Sequence, residues 1–503
     1  MAALMAGTLL SACAASASGD GPSPSAGTPL TGPGLTPAGC TDAANWAATA
    51  VDAARRALLD IQCGVLRVPR DHADPARGYL DLAVERVRSA RQHDRIGALL
   101  LNPGGPGASG VDRMPDWAGW MSEELLERFD LVTFDPRGTG SSSPIDCPPS
   151  PSEAANAPLP DVLDDEGFAQ GQANAAAWGR TCVAALGDTA GQFGTDTAAR
   201  DLDLLRQAVG DDRLTYVGWS YGARLGAHYA HLFPDRIRAL VLDAPPHPTA
   251  AWADAMTARI EGFEATLSRY VADCPQRDTC GPAQMQPRAV LDRVVAKARE
   301  HPIPSGRPAG DPPATWDTVL RGVLAHLAAR ELWPLLDAAL IEADHGDSGS
   351  LYDLIDAIDG HSPTHPQADA TDALDVILCT DSPAPADLTA LRRRARAIEA
   401  ANPSFGALGA WWLFACSTWP GPRTPLPAPT TTTTAPALVI GSPHDPATPY
   451  AGAVALADLI GPNARLLTSD VDGHTSFGRS RCVGTVVTRL LLEARLQSAT
   501  RCD

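Results

Sequence analysis

Residues 214–222 read Leu-Thr-Tyr-Val-Gly-Trp-Ser-Tyr-Gly, and they constrain this chain more than any other stretch. Leu214 to Val217 is a short apolar run that reads as a strand, and Ala223 to Phe233 reads as a helix. A G-x-S-x-G turn joins the two, with Gly218 and Gly222 flanking Ser220. The glycines remove Cβ atoms that would clash in so sharp a turn, and the turn exposes the serine Oγ at the head of a sheet. Ser220 is therefore the candidate nucleophile.

Such a turn needs a parallel sheet around it, and the rest of the sequence supplies one. Ile96 to Leu101, Leu131 to Phe134, Ala239 to Leu242 and Ala437 to Gly441 are further apolar runs. Thr197 to Val209 carries Leu202, Leu205 and Val209 at helical spacing between two of them. Short apolar runs separated by helices are the pattern of a parallel sheet covered on both faces. Upstream, Cys63 to Pro69 and Leu80 to Val87 alternate with period two, as antiparallel strands do. From Pro245 the pattern becomes helical, with amphipathic stretches such as Val290 to Arg299 and Leu320 to Leu340. The expected class is α/β: a central, mostly parallel sheet with an inserted helical cap. The expected boundaries are a leader and flexible tether over 1–39, core over 40–244, cap over 245–435 and core again over 436–503.

A serine that attacks a carbonyl needs donors for the oxyanion, and these must already be in place. Asn102-Pro-Gly104-Gly105-Pro-Gly107 follows a strand, and its glycines let backbone N–H groups come close to a substrate. The expected donors are the N–H of Tyr221 and one from Gly104 or Gly105. Asp135-Pro-Arg137-Gly138-Thr-Gly140 reads as a structural turn packed nearby. The serine also needs a base and an orienting acid, in the chain order Ser, Asp, His. Asp445 follows the strand Ala437–Gly441, and His474 closes a loop after the next strand. They are the preferred pair. His444, His228 and His231 remain as other bases, and Asp472 and Asp243 as other acids.

A net charge of −19 excludes a nucleic-acid partner, which selects basic surfaces. No apolar run reaches the roughly 20 residues of a membrane span. Any membrane contact is expected to pass through a lipid anchor, because Leu10-Ser-Ala-Cys13 resembles a lipoprotein processing site. Cys13 is the expected lipidation point, plain secretion the alternative, and the Ser-, Ala-, Gly- and Pro-rich stretch that follows the expected tether. Removing Cys13 leaves ten cysteines, an even number that suits disulfides and an oxidising exterior. Nearest-neighbour pairing gives Cys40–Cys63, Cys147–Cys182, Cys274–Cys280, Cys379–Cys416 and Cys482–Cys502. There is no C-x₂-C and no H-E-x-x-H, so neither a metal nor an organic cofactor is implied.

Taken together, the motifs resemble the secreted tripeptidyl aminopeptidases of the α/β-hydrolase superfamily, relatives of prolyl aminopeptidases. The likeness rests on Asn102 to Gly107, Asp135 to Gly140, Gly218 to Gly222 and Phe233-Pro-Asp-Arg236. It continues through Ile377 to Asp381, Ala415 to Pro420, Asp445 to Pro449 and Gly473-His474. It implies an exported serine exopeptidase that cuts short peptides from a free N-terminus. Ala223-Arg224 depart from the Thr-Tyr common in that family, which leaves substrate preference open. A carboxylesterase or amidase on a small non-peptide substrate is the rival reading, and a non-catalytic binding protein the more distant one. If the substrate end is an ammonium, the cap must supply a countercharge, and Asp381 is the candidate.

Overall fold

The computed structural model describes residues 30–40, 46, 51–149, 155–160, 164–280, 285–307, 311–359, 370–384, 387–414 and 416–503. Cys13 and the leader lie outside the described residues. Among the described residues ten strands form one sheet: β1 (Leu35–Ala38), β2 (Leu59–Pro69), β3 (Tyr79–Ser89), β4 (Gly97–Asn102), β5 (Phe129–Phe134), β6 (Leu214–Trp219), β7 (Ile237–Asp243), β8 (Ala437–Gly441), β9 (Ala464–Ser469) and β10 (Arg501–Cys502). Their order is β1-β2-β3-β5-β4-β6-β7-β8-β9-β10. The first three pair antiparallel, β3 meets β5 antiparallel, and all later neighbours run parallel.

The central strands are buried along their whole length, because helices cover both faces. Side chains alternate between two cores as strand geometry requires. Leu100, Tyr216, Leu240 and Leu242 point to one, beneath the helices Thr195–Ala208 and Tyr221–Leu232. Leu99, Leu101, Val217 and Val241 point to the other, with Gly110–Trp120 and Arg481–Glu493. Each fully buried leucine contributes roughly 1.5–3 kcal/mol.

Part of the stretch expected to be tether belongs to the core: β1 pairs with β2, and Leu30 and Leu35 are buried in the first core. Two apolar residues in a Gly- and Pro-rich stretch are enough to dock it.

Between β7 and β8 the described residues form helices and no named strand. A third core, from Ile260 through Leu320 and Leu340 to Phe414, holds most of them together. Two segments pack differently from the expected boundaries. Leu159 and Phe168, upstream of the nucleophile, lie against the cap core, while Ala373, Val376, Ile377 and Trp419 belong to the sheet's first core. The expected single helix from Leu320 to Leu340 is two, Trp316–Leu327 and Trp333–Asp344. Pro334 opens the second, where its missing N–H costs nothing. The break has a use described below.

The five expected cysteine pairs are all bonded in the structure. Non-reducing peptide mapping is expected to return those five cross-linked peptide pairs; free thiols at most of the ten positions would contradict them.

Candidate active site

The sequence builds the site at the carboxyl end of the parallel strands. β6 ends at Trp219, and Ser220 adopts φ 57° and ψ −123° before the helix Tyr221–Leu232 begins. That left-handed backbone costs about 1–3 kcal/mol and persists only where its surroundings enforce it. A Cβ on Gly218 would sit 2.2 Å from the Gly222 carbonyl oxygen, and one on Gly222 would sit 2.4 Å from that of Asn102. Glycine at both places is thus a steric requirement of the turn. The Ser220 N–H donates to the Asp243 carbonyl at 2.8 Å, which ties the turn to the end of β7.

Asp445 and His474 are brought together as expected. His474 Nδ1 lies 2.9 Å from Asp445 Oδ2 and 3.1 Å from Oδ1. The Asp445 side chain is almost wholly buried, and it also accepts from the N–H groups of Ala447 and Thr448, each at 2.9 Å. Thr448 Oγ1 donates to Asp445 Oδ2 at 3.0 Å and lies 3.3 Å from His474 Nδ1. Thr448 escaped the sequence reading, although the Asp-Pro-Ala-Thr spacing places it on the same turn. The His474 ring bonds through Nδ1, which leaves Nε2 for the nucleophile.

The two loops are locked to each other through Asp243. Its buried carboxylate accepts from the N–H groups of Ser476 and Phe477 at 2.9 and 2.7 Å, while its carbonyl holds Ser220. Burial pushes that carboxyl up to about 6. Trp219, beside the nucleophile, donates from Nε1 to the Phe477 carbonyl and stacks on its ring, with centroids 5.8 Å apart. Asp243 is thus an anchor for the histidine loop, and the hydrogen bond to the imidazole is made by Asp445 instead.

The cap clamps the same loop. The break between its two helices frees Ala328 to accept from the His474 N–H at 2.7 Å, and the Arg330 N–H to donate to Asp472 at 3.2 Å. Ala329 and Gly473 form a β-bridge.

The other candidates go elsewhere. His228 is buried against Asp196, with desolvation holding its pKa below the usual value, and His231 contacts the Thr430 carbonyl. Asp472 is paired with Arg269 at 2.9 Å, and Arg269 also donates to the His444 carbonyl. Arg137 forms a buried two-pronged pair with Asp201, and Asp135 accepts from Ser109, Val111 and Ser141, so that turn is structural as expected.

Asp381 is not an open countercharge in the cap. It is 6% exposed, and Thr195 donates to both its oxygens, from N at 2.9 Å and from Oγ1 at 2.5 Å. The Thr195 hydroxyl in turn meets the Tyr221 hydroxyl at 2.7 Å. Arg224, the residue that departs from the family pattern, already supplies the positive charge acting on Asp381. Burial nevertheless pushes the Asp381 carboxyl up to about 6. This group braces the turn from behind.

The glycine loop lies directly on the elbow. A Cβ on Gly104 would fall 2.4 Å from the Trp219 carbonyl oxygen and 2.9 Å from the Tyr221 nitrogen. The Gly104 N–H donates to Asn102 Oδ1 at 3.1 Å.

A serine on a strained turn, an imidazole oriented by a buried carboxylate, and a glycine loop against the serine are the parts of nucleophilic acyl transfer. The comparisons agree. A model of the α/β-hydrolase fold matches residues 97–478. The serine protease Hip1 of Mycobacterium tuberculosis is 34% identical over 86% of this chain and 85% of its own. Carboxylesterase B of the same organism is 32% identical over 88% and 86%. The tripeptidyl aminopeptidase of Streptomyces lividans is 31% identical over 86% and 82%. The chain belongs to the α/β-hydrolase family and is a serine hydrolase of the group that holds these tripeptidyl aminopeptidases and Hip1.

Proposed function

We propose that this serine hydrolase is an exported peptidase that releases short peptides, tripeptides foremost, from the free N-terminus of its substrates. The observation that carries the catalytic part is the buried Asp445 carboxylate on His474 Nδ1, joined through Asp243 to the turn that presents Ser220. Ser220 Oγ attacks the scissile carbonyl while His474 takes its proton through Nε2. Asp445 holds the tautomer with Nδ1 protonated and stabilises the imidazolium that forms. Charge on the tetrahedral oxygen falls to the N–H of Tyr221 and one from Gly104 or Gly105. His474 then passes the proton to the leaving amine, and water repeats the sequence on the acyl-enzyme.

Two of the three relatives named above are a protease and a tripeptidyl aminopeptidase, which supports the peptide substrate. The carboxylesterase relative, at similar identity, keeps a small-ester reading alive. The helical insertion between β7 and β8 packs onto the histidine loop, and a cap in that place favours a chain end as substrate. Five disulfides support export, and lipidation at Cys13 would fix the product to a membrane surface.

A panel of tripeptide anilides, each free or N-acetylated, beside simple esters, tests the substrate. Acetylation is expected to lower kcat/KM about 10²-fold, the loss of one charge-assisted contact and the entry of added bulk. Equal turnover of free and acetylated peptides, with faster ester hydrolysis, would replace the peptidase by an esterase.

A further inference from the structure

The cap helix Trp252–Asp273 lies across the loop that carries Asp445. One stripe of it makes that contact: Arg259, Gly262, Thr266 and Arg269, spaced three, four and three residues apart on a single face. Gly262 is where the helix touches the loop, since a Cβ there would stand 2.8 Å from the Pro446 carbonyl oxygen. Arg269, at one end of the stripe, is fully engaged by Asp472, the His444 carbonyl and Thr266.

Arg259, at the other end, is not. Its guanidinium lies over the rings of Trp412 and Phe263, 5.2 and 5.8 Å from their centroids. Its Nε is buried without a hydrogen-bond partner, and among the described residues no carboxylate pairs with it. Among the described residues the charge of Asp445 acts on it, but the Asp445 oxygens are already taken by His474, Thr448 and Ala447. An arginine stays charged in any protein environment, and a partly buried cation without a partner is costly. The rings of Phe263 and Trp412 attract the cation but cannot accept its N–H hydrogen bonds in the plane of the guanidinium, which is what a planar acceptor would do. The paired Arg269 shows that the same stripe finds carboxylates where the chain offers them.

We propose that Arg259 is a substrate-binding residue and that it takes a carboxylate of the substrate, held bidentate beside the Asp445–His474 pair. The carboxylate belongs either to an acidic side chain on the acyl side or to the C-terminus of a short peptide on the leaving side. The proposal rests on the hydrolase assignment for the presence of a substrate, and not on that substrate being a peptide.

Three matched pairs test it. Peptides ending in an amide carry Glu or Gln in the acyl part; a second set has a free or amidated C-terminus. p-Nitrophenyl hydrogen glutarate against p-nitrophenyl valerate reads the same contact on an ester. In the wild-type enzyme at least one carboxylate-bearing member is expected to exceed its neutral mate about tenfold or more in kcat/KM, the scale of a charge-assisted hydrogen bond. The pair that responds identifies the source. The ratio should collapse toward one in Arg259→Met and survive in part in Arg259→Lys. Because the wild-type ratios need no variant, poor folding of Arg259→Met leaves the test intact. Ratios near one for all three pairs, or a ratio that persists in Arg259→Met, would overturn the proposal. A preference on the esters with no peptide cleaved would uphold it while removing the peptidase.

Discussion

Ser220→Ala is expected to lower kcat by about 10⁴-fold or more while the fold and thermal stability are kept. The estimate follows from serine enzymes in which removing the nucleophile abolishes the covalent route and leaves only binding and oxyanion stabilisation. The substitution removes one oxygen from a residue whose contact with β7 is made by its backbone N–H to the Asp243 carbonyl. Alanine tolerates the turn's positive φ no worse than serine, so circular dichroism and Tm should match the parent. A variant that keeps more than a tenth of the activity would place the nucleophile elsewhere.

Asp445→Asn is expected to cost about 10⁴-fold in kcat, the loss seen when an orienting carboxylate becomes an amide and the wrong tautomer is held. The local geometry sharpens the expectation. Asp445 accepts from five groups, His474 Nδ1, the Ala447, Thr448 and Thr475 N–H groups and the Thr448 hydroxyl. An asparagine NH₂ must turn toward one of these donors, either losing a loop contact or forcing His474 to present an unprotonated Nδ1. The change should appear in kcat with KM little altered. A loss under tenfold would return the acid's role to Asp472 or Asp243.

The parts that were legible in the sequence are the ones set by local rules. Gly218 to Gly222 announced the turn because only glycine fits beside the Gly222 and Asn102 carbonyls, and apolar runs bounded by helices announced the sheet. Asp445 and His474 followed from their places after late strands. The cysteine pairs were adjacent in sequence and so closed the simplest loops.

What escaped depends on contacts between distant segments. The break after Leu327 looks helical in sequence, since its residues keep an amphipathic period; the reason for it, the pairing of Ala328 to Arg330 with the histidine loop, lies about 140 residues downstream. Asp381 reads as a cap carboxylate until Thr195 is seen donating to both its oxygens, with the charge of Arg224 acting on it as well. Leu30 and Leu35 are two apolar residues in a polar stretch, and only the groove beside β2 makes them core. Arg259 resembles any helix arginine, and what sets it apart is a buried Nε with no hydrogen-bond partner, on a guanidinium that no carboxylate pairs with among the described residues.

The site assignment turns on which atom becomes acylated. Treating the active enzyme with a fluorophosphonate, digesting it with trypsin and mapping the adduct by mass spectrometry answers this directly. The expected result is a single phosphonylated peptide, Leu214 to Arg224, modified at Ser220, with labelling proportional to lost activity. An adduct on another serine, or full inactivation with residues 214–224 unmodified, would contradict it.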